Sequence, residues 1–307
     1  MSEENFNYTN PLNIVVAFLI IAIGIFGVIC NSLIIYVFIK EKSEKTAFNL
    51  ICFCRAISNV SILTIGFLLN FFPKTLLGFS LYPPVLESWL INIANTLYLG
   101  NEYQIVLVAL NRFYALFFPI QYSRIFAIPQ TTAVLGLIYI YRIIKKIVEV
   151  VPEHENGCYA LFYTDALAWH YDSSEQCNFN SDALNIVLYT LIAITIVNLI
   201  SFAKIVMFYR KNNNKRKGTR RRMRKNRIMF LQTMLQDSLY LVDLTFTFKL
   251  ASWSTHRVWT YFSGTFIWEC LHSIDGFIMV MFNEKLSLWK KRIANISVIP
   301  IIALPRR

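Results

Sequence analysis

LNIVVAFLIIAIGIFGVICNSLIIYVFI, residues 12–39, holds no Asp, Glu, Lys or Arg. A helix rises about 1.5 Å per residue, so roughly 20 apolar residues cross a hydrocarbon layer about 30 Å thick. This stretch is long enough with residues to spare. Lipid offers no partner for a backbone amide, so a helix, which satisfies its own, is the form it must take. The remainder of the chain repeats the theme: of 307 residues, 56% are hydrophobic and 16% charged, with a mean hydropathy of +0.47. A soluble domain of this size needs more charge at its surface. The expectation is an all-α integral membrane protein.

Six further apolar stretches follow, giving expected spans at about Leu12–Ile39, Thr46–Phe72, Glu87–Phe117, Ile125–Val151, Asp182–Tyr209, Ile228–Ala251 and Val258–Phe282. Most Lys and Arg fall on one side of them: Lys40, Lys42 and Lys45; Arg112 and Arg124; the run from Arg210 to Arg227; and Lys285, Lys290, Lys291, Arg292, Arg306 and Arg307. The other side has Glu3 and Glu4 before the first span, and acids without Lys or Arg across residues 152–182. Basic loops stay cytoplasmic, so the N-terminus (residues 1–11) is expected outside and the tail (283–307) inside. The net charge of +12 therefore belongs to topology and to the anionic inner leaflet, not to nucleic acid. The opening MSEENFNYTN lacks the basic segment of a cleavable signal, so the first span is expected to act as a signal-anchor.

That orientation puts Asn7 of Asn7-Tyr8-Thr9 on the lumenal side as a glycosylation acceptor. It also puts Cys158 and Cys177 in one outer loop, where oxidising conditions favour a disulfide. The same loop carries Tyr159, Phe162, Tyr163, Trp169, His170 and Tyr171, a composition suited to a lid.

Ionisable groups within spans are costly and face a partner or a cavity. Depth along the helices lets Asn31, Arg55, Asn59, Asp237 and Asp275 meet in the inner half as a polar network. Such a network either locks the helices by charge compensation or rearranges when the bundle opens. Nearer the outside, Glu102, Asp243, Glu269 and His272 are candidates for a ligand cavity, with structural pairing as the plainer role for each. The fourth span is awkward. Arg142, Lys145 and Lys146 fall towards its outer half, against the charge rule, so this helix is expected to be poorly inserted or irregular, although snorkelling and a pairing of Lys145 or Lys146 with Glu149 at i+4 or i+3 would ease the cost. Nothing suggests an enzyme: there is no phosphate loop and no metal-spaced cluster, the four histidines are scattered, and no cofactor or metal is expected.

At the end of the third span, LNRFYALFFPIQY (110–122) places Arg112-Phe113 ahead of Pro119 and Tyr122 with the spacing R-Y-x-x-x-x-x-P-x-x-Y. Asn31 follows Gly27 as in G-x-x-x-N, Asn49 and Asn59 lie ten apart, and Asp275-Gly276-Phe277-Ile278-Met279 stands where N-P-x-x-Y would be. An amphipathic piece over Glu284–Arg292 suits a short eighth helix on the membrane surface. In these features the chain resembles the rhodopsin-like G-protein-coupled receptors. The blocks NRFYALFFPIQYSRIF, FLQTMLQDSLYLVDLTFTFKL and ECLHSIDGFIMVMFNEKL are more specifically similar to the nematode serpentine chemoreceptors of class x, the Srx group.

The resemblance implies a seven-transmembrane receptor domain over residues 12–282. It further implies a small-molecule ligand, odorant or pheromone-like, a heterotrimeric G protein as partner, and a place in the plasma membrane of a sensory neuron, in its cilium. Asn111, Arg112, Phe113, Pro119 and Tyr122 would carry the switch and the coupling. Three departures stand out. Asn111 replaces the acid that usually accompanies the arginine, no cysteine lies near Glu87 where the third helix is usually tied to the outer loop, and the sixth span lacks its proline. An opsin is disfavoured, since the seventh span has no lysine. A seven-span channel or transporter subunit is the alternative; insect odorant receptors of that kind have the opposite orientation.

Overall fold

The computed structural model describes residues 10–171, 177, 183–211, 217–283 and 285–286. The Asn7 acceptor and nearly all of the expected surface helix over 284–292 lie outside these residues. The long helices are α1 (Pro11–Lys40), α2 (Ala47–Leu77), α3 (Pro84–Phe117), α5 (Ile128–Glu155), α6 (Ala183–Lys211), α7 (Lys217–Leu244) and α8 (Arg257–Phe282), with a short α4 (Pro119–Ile125) after α3. Asn10 caps α1 by accepting the Leu12 amide at 3.0 Å, with Pro11 in the first turn where its missing N–H costs nothing. Thr46 caps α2 through the Asn49 amide at 3.3 Å. Helix α7 begins at Lys217, well before the apolar run at Ile228. Lys and Arg are good helix formers, and a helix need not stop where the bilayer does.

By length and composition, Pro11–Lys40, Ala47–Leu77, Leu188–Met207 and Arg257–Phe282 are apolar enough to cross a membrane alone. The other three long helices mix charge into their runs, and on α3 that charge is turned inward: Glu87, Glu102 and Arg112 are all buried. Outward stand Phe18, Ile25 and Ile29 of α1, Leu137, Ile140 and Val148 of α5, and Leu199 and Phe202 of α6. Polar atoms inside and apolar side chains outside is the arrangement lipid requires.

Helix α5 is not irregular as expected, and it carries the expected Lys–Glu149 pairing. It is one continuous helix, with Pro152 in its last turn. Lys146 pairs with Glu149 at 3.0 Å and Lys145 with the same carboxylate at 3.7 Å, while Arg142 is buried. The i, i+3 and i, i+4 spacing lets one acid hold two lysines without distorting the backbone.

The apolar core divides in two. An outer cluster gathers Phe67, Phe71, Tyr98, Phe162 and Trp268; a cytoplasmic cluster gathers Val37, Phe48, Ile51, Ala56 and Met279. Between them, α1 and α8 pack closely because Gly27 has no side chain: a Cβ there would lie 2.8 Å from the Ser273 Cα. Three stretches widen to π-helical turns, Leu63–Phe71 in α2, Thr245–Leu250 after α7 and Tyr261–Phe266 in α8. All three fall in the outer half. Such turns are uncommon and collect at functional sites, and the one after α7 supplies the irregularity that the missing proline does not.

Candidate functional site

The polar node between the two apolar clusters is built on Asp275 of α8. Arg55 of α2 holds it from two sides, Nε to Oδ2 at 2.9 Å and Nη2 to Oδ1 at 2.8 Å. Asn59, one turn further along α2, donates to Oδ2 at 2.8 Å, and Gln236 of α7 donates to Oδ1 at 2.8 Å. Asn31 of α1 joins by accepting from Asn59 at 3.1 Å and donating to the Gly27 and His272 carbonyls. The Asn59 carbonyl oxygen then accepts from Asn101 of α3 at 2.9 Å and from His272 Nδ1 at 2.9 Å. Five helices meet in this network, with every named side chain buried. A buried carboxylate stays charged only where its oxygens are well supplied with donors, and both Asp275 oxygens are.

Two placements differ from the sequence expectation. Asp237 does not bond in this node. It lies on the α6 side of α7, where its Oδ2 accepts from Asn198 at 2.7 Å, so among the described residues Asp275 is the acid in contact with Arg55. His272, one turn from Asp275, bonds into the node through Nδ1, while its ring also meets Tyr98 at 5.9 Å and Trp268 at 6.2 Å on the outer side. The expectation also missed Asn101, Gln236, Gln104 and Tyr139. Gln104 donates to Asn101 at 3.3 Å and to the Tyr139 hydroxyl, which also meets Ser58. Their only sequence signal was an amide or hydroxyl amid apolar residues, on α3, α7 and α5.

Of the remaining cavity candidates, Glu102 and Asp243 come together across α3 and α7. The Tyr98 hydroxyl donates to Asp243 Oδ2 at 2.8 Å, and Glu102 is one turn from Tyr98 on the same face and feels the Asp243 charge. Glu269 stands apart, against α1, with Oε1 3.2 Å from where a Cβ on Gly24 would be.

The outer loop is a hairpin, β1 (Ala160–Tyr163) paired antiparallel with β2 (Ala168–Tyr171). A disulfide joins Cys158 to Cys177 beside it. Where a cysteine would tie α3 to this loop, Glu87 does so without a covalent bond. Its Oε1 accepts the Phe162 amide at 2.8 Å while Lys74 donates to both its oxygens at 2.7 and 2.9 Å. Ser88 adds the Ala160 amide at 3.0 Å and His154 Nε2 at 2.8 Å; burial pushes that imidazole below its ordinary value. Phe162 stacks on Phe71 at 4.5 Å, and Trp169 meets Trp268 at 6.0 Å. Leu167, fully buried at the turn, is held in the left-handed region (φ 53°) with its carbonyl accepting from Thr265 at 2.8 Å. A non-glycine residue kept there marks a segment held by its surroundings.

At the cytoplasmic end, Arg112 is buried and its Nη1 donates to the Thr233 hydroxyl of α7. Its guanidinium lies 5.2 Å from the Phe48 ring of α2, and among the described residues Nε and Nη2 have no hydrogen-bond partner of good geometry. Asn111 turns away to Tyr122 of α4, donating to its hydroxyl at 3.3 Å. Pro119 starts α4, and Phe113 stacks on Phe117 at 4.6 Å. Next to this group a cavity of about 190 Å³ opens, lined by Phe48, Tyr122, Gln232 and Met279 among others.

No curated protein matches this chain. A family model does: that of the serpentine type 7TM GPCR chemoreceptor Srx matches residues 21–283, from the first apolar span to the end of α8. That stretch contains the Asp275 node, the hairpin and the Arg112 end of α3 together. The chain belongs to the serpentine seven-transmembrane G-protein-coupled chemoreceptor family Srx.

Proposed function

We propose that this receptor binds a small odorant or pheromone-like compound in the outer half of its bundle and activates a heterotrimeric G protein at its cytoplasmic face. The observation that carries the reading is Arg112. It ties α3 to α7 through Thr233 and to α2 through Phe48, yet two of its buried nitrogens lack an acceptor among the described residues. A buried donor without a partner costs about 1–3 kcal/mol. Movement of α7 away from α3 frees the guanidinium, and a docking G protein supplies acceptors that the resting bundle does not. The ligand drives that movement only by binding the open form more tightly. The Asp275 node links the two ends, since α1, α2, α3, α7 and α8 all bond within it. A sensory cilium is the setting that fits this role.

The test is nucleotide exchange on a purified heterotrimer by the receptor in lipid nanodiscs, screened against volatile compounds. Exchange that depends on both receptor and compound is expected. Compound-evoked ion conductance with no exchange would overturn the reading in favour of a channel.

A further inference from the structure

Glu102 and Asp243 are each 3% exposed, and among the described residues neither takes part in an ion pair. Among the described residues, both Glu102 oxygens and Asp243 Oδ1 lack a hydrogen-bond partner of good geometry, as does the hydroxyl of fully buried Tyr240, although the hydroxyls of Tyr98 and Thr247 face the two acids. Tyr240 is one turn before Asp243 on α7 and lies in electrostatic range of both acids. The nearby guanidinium, Arg55, already spends its charge on Asp275 at 2.8 Å. Two buried carboxylates set around one tyrosine, in a low-dielectric interior and without an ion-pair partner among the described residues, are costly to keep ionised together. They need a proton or a cation.

The walls of the pair are aromatic. Tyr98, which donates to Asp243 at 2.8 Å, stacks with Tyr240 at 6.2 Å and meets the edge of Trp268 at 6.3 Å. Trp268 in turn touches Trp169 of the hairpin at 6.0 Å, so the acids connect to the lid through two tryptophans. Carboxylates flanked by aromatic faces are the recognition chemistry of an organic ammonium, which takes a hydrogen-bonded charge on one side and ring quadrupoles on the others.

We propose that Tyr98, Glu102 and Asp243 form the cation-recognition subsite of the ligand site, and that the cue is a protonated organic amine. This rests on the receptor reading above. The ammonium donates to Glu102 and to Oδ1 of Asp243, its carbon skeleton lies against Tyr240 and Trp268, and Trp169 moves with the hairpin to admit it.

The experiment uses the full chain in nanodiscs and matched probes: 3-methylbutylamine and 2-phenylethylamine against 3-methylbutan-1-ol, 2-phenylethanol and the corresponding carboxylic acids. Thermal stabilisation reads binding, and nucleotide exchange on a purified heterotrimer reads signalling. At least one amine is expected to raise the melting temperature where its alcohol and acid do not. Glu102→Gln and Asp243→Asn should each weaken that amine more than tenfold, while the unliganded variants melt no lower than the parent. Stabilisation by neither amine, equal stabilisation by amine and alcohol, or an amine effect untouched by Glu102→Gln would each overturn the subsite and leave the acids as proton carriers. Exchange evoked by an alcohol or acid but by no amine overturns the ligand class and leaves the receptor reading standing. Amine stabilisation lost in Glu102→Gln with no exchange from any probe supports the subsite and counts against the receptor reading.

Discussion

Arg55 and Asp275 face each other across α2 and α8 with two contacts, at 2.9 and 2.8 Å, and both side chains are out of reach of solvent. Removing one member of such a pair strands the other. Arg55→Leu should cost about 3–5 kcal/mol, and Arg55→Leu with Asp275→Asn should recover much of it. Thermal unfolding of the two variants in detergent, with cell-surface yield, checks this. Equal or additive losses would mean that the two charges do not compensate each other.

Gly276 follows Asp275 where the superfamily usually has proline, and a Cβ there would overlap the Asn31 side chain. Asn31 cannot retreat without giving up its bonds to Asn59 and the His272 carbonyl. Gly276→Ala should therefore destabilise by about 1–3 kcal/mol, the usual cost of overpacking a rigid site. A melting temperature within error of the parent would show that α1 and α8 can part at no cost.

The hairpin depends on Glu87. Glu87→Ala leaves the buried Phe162 amide without its acceptor and Lys74 without its carboxylate. The orphaned amide alone should cost about 1–3 kcal/mol. Hydrogen exchange should rise at Phe162 and its β2 partner Trp169 while the α2 core stays protected. Unchanged protection would mean that the disulfide and aromatic stacking hold the lid alone.

His154 adds a pH dependence to the same anchor. Burial lowers its affinity for a proton below the ordinary value of 6.5, so a loosened loop binds protons that the packed loop does not. The anchor is at full strength above about pH 6.5 and weakens as pH falls towards the depressed folded value. Melting temperatures from about pH 8 down to about pH 5 should decline more steeply for the parent than for His154→Gln. Parallel curves would remove His154 from the anchor.

The apolar runs made the helices legible, because an unbroken apolar run of this length can satisfy its own backbone in lipid only as a helix. Depth along those runs also brought Asn31, Arg55, Asn59 and Asp275 to one level, where the structure joins them. Depth says nothing of azimuth, and that is why Asp237 was misplaced: it shares their level but faces Asn198. Asn101 and Gln236 were missed for the opposite reason. A neutral amide inside a span carries no charge to flag it, although each completes the bonding of Asn59 or Asp275. The hairpin strands were hidden because residues 160–163 and 168–171 are too short to show an alternation. Their order comes from Glu87 and Ser88, far off in sequence.

The central claim, that the buried Arg112 is the cytoplasmic switch of a G-protein-coupled chemoreceptor, is tested most directly by nucleotide exchange on a purified heterotrimer with Arg112→Ala in nanodiscs, at matched receptor density. Surface expression and melting temperature should stay close to the parent, because among the described residues the buried guanidinium has one hydrogen bond, to the Thr233 hydroxyl, and its removal also relieves two unpartnered nitrogens. Receptor-stimulated exchange should fall at least tenfold. Exchange at the parent's rate from a folded Arg112→Ala receptor would contradict the account.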